Sequence, residues 1–140
     1  MADALRVVAT AEGGWATRVT MRSHDLISDE PATAGGQDSG PMPTELLCAA
    51  LASCFSMALV FAAAKRGKEL PDLRVTVDAE RAGRDLRYGR LRVEAEAAVA
   101  TDELARLVKQ ARRFCWVSNT LAEDLRVEYF PTVLHARPLS

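Results

Sequence analysis

Pro43-Thr44-Glu45-Leu46-Leu47-Cys48-Ala49-Ala50-Leu51-Ala52-Ser53-Cys54-Phe55-Ser56-Met57-Ala58-Leu59, continuing as Val60-Phe61-Ala62-Ala63-Ala64, is the stretch on which the fold turns. Pro43 suits the first turn of a helix, because the N–H it lacks would have no partner there. From Leu46 to Ala64 only Ser53 and Ser56 interrupt an apolar run. Such a run reaches the ~18 residues that suggest a membrane span. Its richness in alanine over leucine and isoleucine, and the absence of any other membrane-like segment, favour the alternative. A helix apolar on all faces is also what a small protein buries at its centre. Lys65-Arg66-Gly67-Lys68 then supplies cations and a glycine where a helix stops.

Upstream of this helix the sequence is β-like. Leu5-Arg6-Val7-Val8-Ala9 reads as a strand, and Glu12-Gly13-Gly14 as a turn. Trp15, Thr17, Val19 and Met21 alternate with Ala16, Arg18, Thr20 and Arg22, the period of a half-buried strand. Leu26-Ile27 forms a third short strand, followed by turn formers from Ala34 to Pro41. Downstream, Leu73, Val75, Val77 and Ala79 alternate with polar residues, as do Leu91, Val93, Ala95 and Ala97, with a hairpin from Gly83 to Gly89 between them. Thr101 can cap a second helix whose first turn holds Asp102 and Glu103. Its stripe runs Leu104, Leu107, Val108, Ala111, Phe114, Cys115. Leu125, Val127 and Tyr129 form a last strand before Pro131. The order β-β-β-α-β-β-α-β predicts an α+β fold, a mostly antiparallel sheet around a long buried central helix, in a single domain over 1–140.

A formal net charge of −1 argues against nucleic-acid binding, which normally needs a basic excess. Arg81, Arg84, Arg87, Arg90 and Arg92 read as a solvated hairpin balanced by Asp78, Glu80, Asp85 and Glu94. The N-terminus lacks the basic-then-apolar pattern of a signal peptide, so a cytoplasmic location with reduced thiols is expected. Three cysteines without C-x-x-C spacing suggest neither a disulfide framework nor a zinc site. His24 and His135 form no metal motif, and no metal or cofactor is expected.

The thiols are the chemistry-bearing residues. Cys54 shares its helical face with Leu47, Ala50, Leu51, Ala58 and Phe61, at ~100° per residue. That face is either core or the wall of an apolar pocket. Cys48 lies roughly 120° away round the helix and reads as filling. Cys115 falls at a break between a helix ending near Arg112-Arg113 and a new turn near Ser118-Asn119-Thr120. A helix N-terminus and neighbouring guanidinium groups both favour a thiolate there. An apolar stripe residue is the competing reading.

Two segments carry a family resemblance: Gly40-Pro41-Met42-Pro43-Thr44-Glu45-Leu46-Leu47 leading through Ala49-Ala50-Leu51-Ala52-Ser53 to Cys54, and Cys115-Trp116-Val117-Ser118-Asn119-Thr120-Leu121. With His24–Pro31 and Gly35-Gly36, the chain resembles the OsmC/Ohr family of osmotically inducible and organic hydroperoxide resistance proteins, in its general OsmC-like branch. The resemblance implies an intertwined homodimer whose swapped sheets wrap the central helices, with active sites at the subunit interface. It further implies a thiol peroxidase without a cofactor. Cys54 would attack an organic hydroperoxide and become a sulfenic acid, Cys115 would resolve it to a disulfide, and an external dithiol would reduce that.

The sequence departs from the family at three points. The catalytic glutamate of the characterised peroxidases falls at Thr44. Glu45 is turned roughly 180° from Cys54 on a straight helix and reads as a first-turn dipole partner. The family's thiolate-stabilising arginine comes from the N-terminal region, where Arg18 is the candidate and Arg22 has the same periodicity. Trp116 replaces the proline that usually follows the second cysteine. The alternative function is a non-peroxidatic OsmC-like protein that binds a small apolar ligand or a protein at the dimer-interface pocket. A redox sensor would need a partner domain.

Overall fold

The computed structural model describes residues 4–121 and 126–134. The chain divides into two compact units, Met1–Leu47 and Cys48–Ser140. In the first, β1 (Val8–Gly13), β2 (Ala16–Met21) and β3 (His24–Ser28) form an antiparallel sheet in that order. β1 starts at Val8 rather than Leu5, because the paired length of β2 ends where Thr20 faces Val8. Every residue of β1 is exposed, as are Leu5, Val7 and Trp15.

The loop after β3 is organised by a buried carboxylate. Asp29 is only 2% exposed. It accepts from the Glu30 N–H (2.8 Å), the Gln37 and Ser39 N–H groups (3.2 Å each) and the Ser39 hydroxyl (2.7 Å). These bonds hold the Asp29 carboxyl below the usual range, the Ser39 hydroxyl contributing most. The chain folds so tightly that a Cβ at Gly36 would strike the Glu30 carbonyl, and one at Gly40 the Ile27 carbonyl. Glycine is required at both positions by space.

α1 (Pro43–Lys65) begins in the first unit and runs through the second. The Met42 N–H donates to Glu45 Oε1 (2.9 Å), while the Met42 carbonyl accepts the first helical bond from Leu46 (3.0 Å). Glu45 thus closes the N-terminus as the acidic half of a capping box. At the other end the Lys68 N–H reaches the Ala63 carbonyl and the Gly67 N–H the Ala64 carbonyl, both at 2.9 Å, a Schellman stop. The burial of α1 differs from the expectation of a helix covered all round. Leu51, Cys54, Phe55, Ala58, Leu59, Ala62 and Ala63 are buried, but Met57 (67%), Val60 (55%) and Phe61 (49%) are exposed. The second unit supplies enough apolar surface for one face only.

That surface comes from a mixed sheet and one helix. β4 (Arg74–Arg81) pairs antiparallel with β5 (Tyr88–Ala97), and β6 (Arg126–Val133) pairs parallel with β5 on its other side. The α+β class and the mostly antiparallel pairing stand, with this one parallel pair added. Leu91, Val93, Ala95 and Ala97 of β5 point into the core, with Leu104, Leu107, Val108 and Ala111 of α2 (Thr101–Ala111). Thr101 is the first helical residue rather than the cap, which falls at Ala100 without a side-chain bond. Pro131 lies inside β6, tolerated on an edge strand that needs no N–H there. Leu125, the expected first residue of that strand, lies outside the described residues, as does His135.

The other face of the sheet is a charge ladder. Arg90 bridges Glu128 and Glu80, and Arg92 pairs with Glu94 (2.7 Å) while lying 4.2 Å over the Phe130 ring. The arginine run is therefore balanced by its neighbours, as the sequence suggested. Glu103 in the first turn of α2 receives Lys68 at 2.9 Å, which ties the stop of α1 to the start of α2.

Candidate functional site

Cys54 projects from the middle of the buried face of α1 and is 6% exposed. Cys115 is fully buried. It follows the end of α2 at Ala111 and immediately precedes α3 (Trp116–Thr120), with an extended backbone at φ −86° and ψ 97°. The expected stripe therefore breaks before Cys115, and the thiol reaches the core from a bend rather than from the helix. The two thiols lie close enough to interact directly. Both are reduced.

The bend is held by its own residues. The Cys115 carbonyl accepts from the Asn119 N–H (3.0 Å) and the Ser118 hydroxyl (3.2 Å). Asn119 Nδ2 returns to the Arg113 carbonyl (3.2 Å), and the Thr120 hydroxyl to that of Trp116 (2.7 Å). Tyr129, reached from β6, packs its ring 4.6 Å from that of Phe55, the residue next to Cys54. The Arg112 guanidinium lies 5.0 Å from the centre of the Tyr129 ring. Tyr129 was not singled out from the sequence, whereas Arg112 and Ser118 were named only as the edges of the break around Cys115. The one available signal for Tyr129 was its place on the apolar alternation of the last strand.

The electrostatics of Cys115 correct the expectation of a favoured thiolate. Burial pushes its pKa up, and the neighbouring Cys54 adds to the rise. The Ser118 hydroxyl and peptide N–H act in the opposite direction but do not prevail. Five residues of α3 give a weak helix terminus, and Arg112 lies over the Tyr129 ring. The Tyr129 phenol is also raised by burial, opposed by Ser118 and by the Arg112 charge.

Arg18 lies in the first unit, on β2 between β1 and β3. Its guanidinium pairs with Glu12 on one side and Asp25 on the other, and both bonds hold its pKa up, Glu12 the more strongly. Glu45 is engaged at Met42. Trp116 is exposed at the start of α3, and Cys48 packs at the margin of the core. Among the described residues no group of three or more His, Cys, Asp or Glu side chains forms a metal-ligand set.

A cavity of about 370 Å³ opens within the first unit, lined by Ala9, Trp15, Val19, Asp29, Pro43 and Leu46 among others. In the second unit a groove of about 510 Å³ runs between α2 and β6, with Lys109, Arg112, Tyr129 and Phe130 on its walls.

An α+β architecture with two neighbouring buried thiols, one from a long core helix and one from a bend, defines a protein with a paired-thiol centre. The chain belongs to the OsmC-like protein family, which it matches over residues 36–130. Solved structures agree in fold. The chain is similar to the OsmC-like protein of Mycoplasma pneumoniae (TM-score 0.84, 16% identity, covering 96% of this chain and 100% of that one). It also resembles an organic hydroperoxide resistance protein OsmC from Legionella pneumophila (TM-score 0.71, 24% identity, 91% and 97% covered). A third likeness is to the organic hydroperoxide resistance protein OhrB of Bacillus subtilis (TM-score 0.64, 23% identity, 92% and 98% covered). No curated protein matches the chain in sequence.

Proposed function

We propose that the protein is a thiol-dependent peroxidase for organic hydroperoxides, working in oxidative stress defence in the cytoplasm as a homodimer of one OsmC-like domain over 1–140. The observation that carries this reading is the direct proximity of Cys54 and Cys115 within the buried core. The Cys54 thiolate attacks an O–O bond, forming Cys54–SOH and releasing the alcohol once its oxygen takes a proton. The Cys115 sulfur then attacks the Cys54 sulfur, an S–S bond forms, and the hydroxyl leaves as water. An external dithiol returns both residues to thiols and closes the cycle. A Cys115 pKa raised by burial suits the second of these roles, since a protonated thiol is a poor first nucleophile.

Arg18 is the cation proposed to favour the Cys54 thiolate, and its charge is one already shared with Glu12 and Asp25. The homodimer is supported by apolar surface the chain leaves uncovered, at Met57, Val60 and Phe61 of α1 and at Val7, Val8 and Trp15. The test is consumption of an organic hydroperoxide with a dithiol donor. Wild type should turn over, Cys54→Ser should be inactive, and Cys115→Ser should stop after one turnover. Wild-type turnover no better than Cys54→Ser would refute the reading.

One observation favours a second reading. Thr44 stands where the characterised peroxidases carry a glutamate, and Glu45 is committed to capping α1. A non-peroxidatic protein binding a small apolar ligand would need neither, and the cavity beside Trp15 offers apolar space. Ligand titration with Cys54 alkylated separates the two, because binding indifferent to the thiol belongs to the second.

A further inference from the structure

Two aromatic rings and a cation tie the last turns of α1 to the residue before Cys115. The Phe61 and Phe114 rings meet edge-on, with centres 5.0 Å apart and planes at 81°. Lys65 Nζ, from the next turn of α1, lies 5.0 Å from the centre of the first ring and 4.9 Å from that of the second. Both distances are inside the ~6 Å over which a ring face attracts a cation. Phe61 follows Cys54 by about two turns and so stands on the same side of α1. Phe114 packs against the core from the bend, its N–H donating to the Ala111 carbonyl (2.9 Å). At the start of α2, Glu103 is tied to Lys68 (2.9 Å) and Arg66 (3.6 Å), just past the stop of α1. α2 is thus fastened to the end of α1 twice, by charge at its start and by aromatic contact after its end. The second fastening uses the residue covalently joined to a thiol.

We propose that Phe114 and Lys65 are positioning residues for the thiol pair: the Phe114 ring, seated edge-on against Phe61 and capped by Lys65, fixes where the bend after α2 sits along α1, so that Cys115 comes opposite Cys54. A disulfide demands such a setting, since its Cα atoms must lie about 4.4–6.8 Å apart with the Cβ atoms facing. Cys115 is followed by only five residues of α3, too short to hold the bend by themselves. The edge-on ring contact gives direction as well as adhesion, because the positive edge of one ring meets the negative face of the other. Lys65 then holds the pair closed from the exposed side, touching neither sulfur. The part of this inference that concerns closure after peroxide attack rests on the peroxidase reading; the alignment of the two thiols does not.

The test is the thiol–disulfide equilibrium of the folded protein with glutathione. Glutathione disulfide takes up two electrons and the two thiol protons and leaves as two glutathione thiols, while the Cys54 and Cys115 sulfurs bond to each other. Alkylation and peptide mapping count that bond, and the constant gives the effective concentration of one thiol toward the other. Phe114→Leu keeps apolar bulk and loses the ring, and the constant should fall by about threefold to tenfold. Lys65→Met keeps the stem and loses the charge, and should cost about twofold to fivefold, with Lys65→Arg restoring it. Phe61 is left intact, because it also lies on the face offered to a second subunit. Packing equal in the dithiol and disulfide forms cancels from this equilibrium, so a merely structural role would lower urea stability and leave the constant alone. A constant unchanged in either variant overturns the proposal, as does a loss in Lys65→Met that Lys65→Arg fails to restore. Should Phe114→Leu not fold, the exposed Lys65 pair of variants decides. A wild type that forms no Cys54–Cys115 bond with glutathione disulfide overturns it too. A wild type that forms the bond, responds to these substitutions and yet consumes no cumene hydroperoxide would refute the peroxidase reading and leave the positioning role standing.

Discussion

The two sheets of this chain have three strands each and opposite surroundings. In the second, β5 alternates strictly, and its inward residues from Leu91 to Ala97 are buried beneath the same core that takes in α1 and α2. In the first, β1 has no buried residue, and the apolar side chains of Val7, Val8 and Trp15 face outward. The second sheet is held by apolar contact, with charges confined to its outer face. The first is held chiefly by its ladder and by the Asp29 hub beyond β3, with Arg18 adding only exposed ion pairs to two carboxylates. The inner face of the second sheet is thus covered within the chain, and the first sheet carries apolar surface that calls for a cover. The uncovered face of α1 makes the same demand.

Four perturbations would break or sharpen this contrast. The largest effect is expected from Phe55→Ala, which empties the centre of the core beneath the second sheet. Urea unfolding should show a loss of about 3–5 kcal/mol, and a loss under about 1 kcal/mol would deny that core its role. Met57→Glu comes next. It places a charge on the exposed face of α1, so sedimentation should show the dimer weakened by about tenfold or more. The reason is that burying such a side chain is worth about 1.5–3 kcal/mol. A dimer of unchanged affinity would remove that face from the interface.

Acid should weaken the loop after β3 through Asp29. The folded-state pKa of Asp29 lies below its unfolded value of about 3.9, so its contribution is complete above that pH and is lost as pH falls through the folded value. Asp29→Asn should lower stability at neutral pH and flatten the acid limb of the stability curve, read by hydrogen exchange in residues 29–41. An acid limb identical to wild type would contradict the hub. The smallest effect belongs to Arg18→Ala. Its ion pairs are exposed and screened, so the thermal midpoint should barely move. Any sizeable loss of peroxide turnover in that variant would therefore report on chemistry rather than on folding.

Much of this architecture was legible in the sequence. Alternation located β2, β4, β5 and β6 to within a few residues, and Pro43 with Glu45 marked the start of α1 as the capping bonds confirm. The quoted motifs around Cys54 and Cys115 led to the family that the comparison established. What stayed hidden has a common cause. A period of two states which residues share a face but not which strand lies alongside, so the parallel pairing of β5 with β6 left no trace. A helix apolar all round has no stripe, so nothing in its pattern distinguishes the buried face from the exposed one. The ionisation of Cys115 depends on how deeply the bend after α2 sinks and on Ser118, both tertiary facts. Tyr129 looked like one more apolar strand position until its neighbours in space were known.

The parallel pairing of β6 also orders events in time. Adjacent antiparallel strands can zip up from a tight turn, as β4 and β5 do, whereas β6 must wait for the whole α2 and α3 crossover to be laid down. Non-local pairing of this kind pays its loop-closure entropy before it gains any contact, and so comes late in folding. β6 carries Tyr129, so the ring that packs on Phe55 beside Cys54 takes its place only when that pairing closes. The last described strand thus acts as a late latch on the core around Phe55.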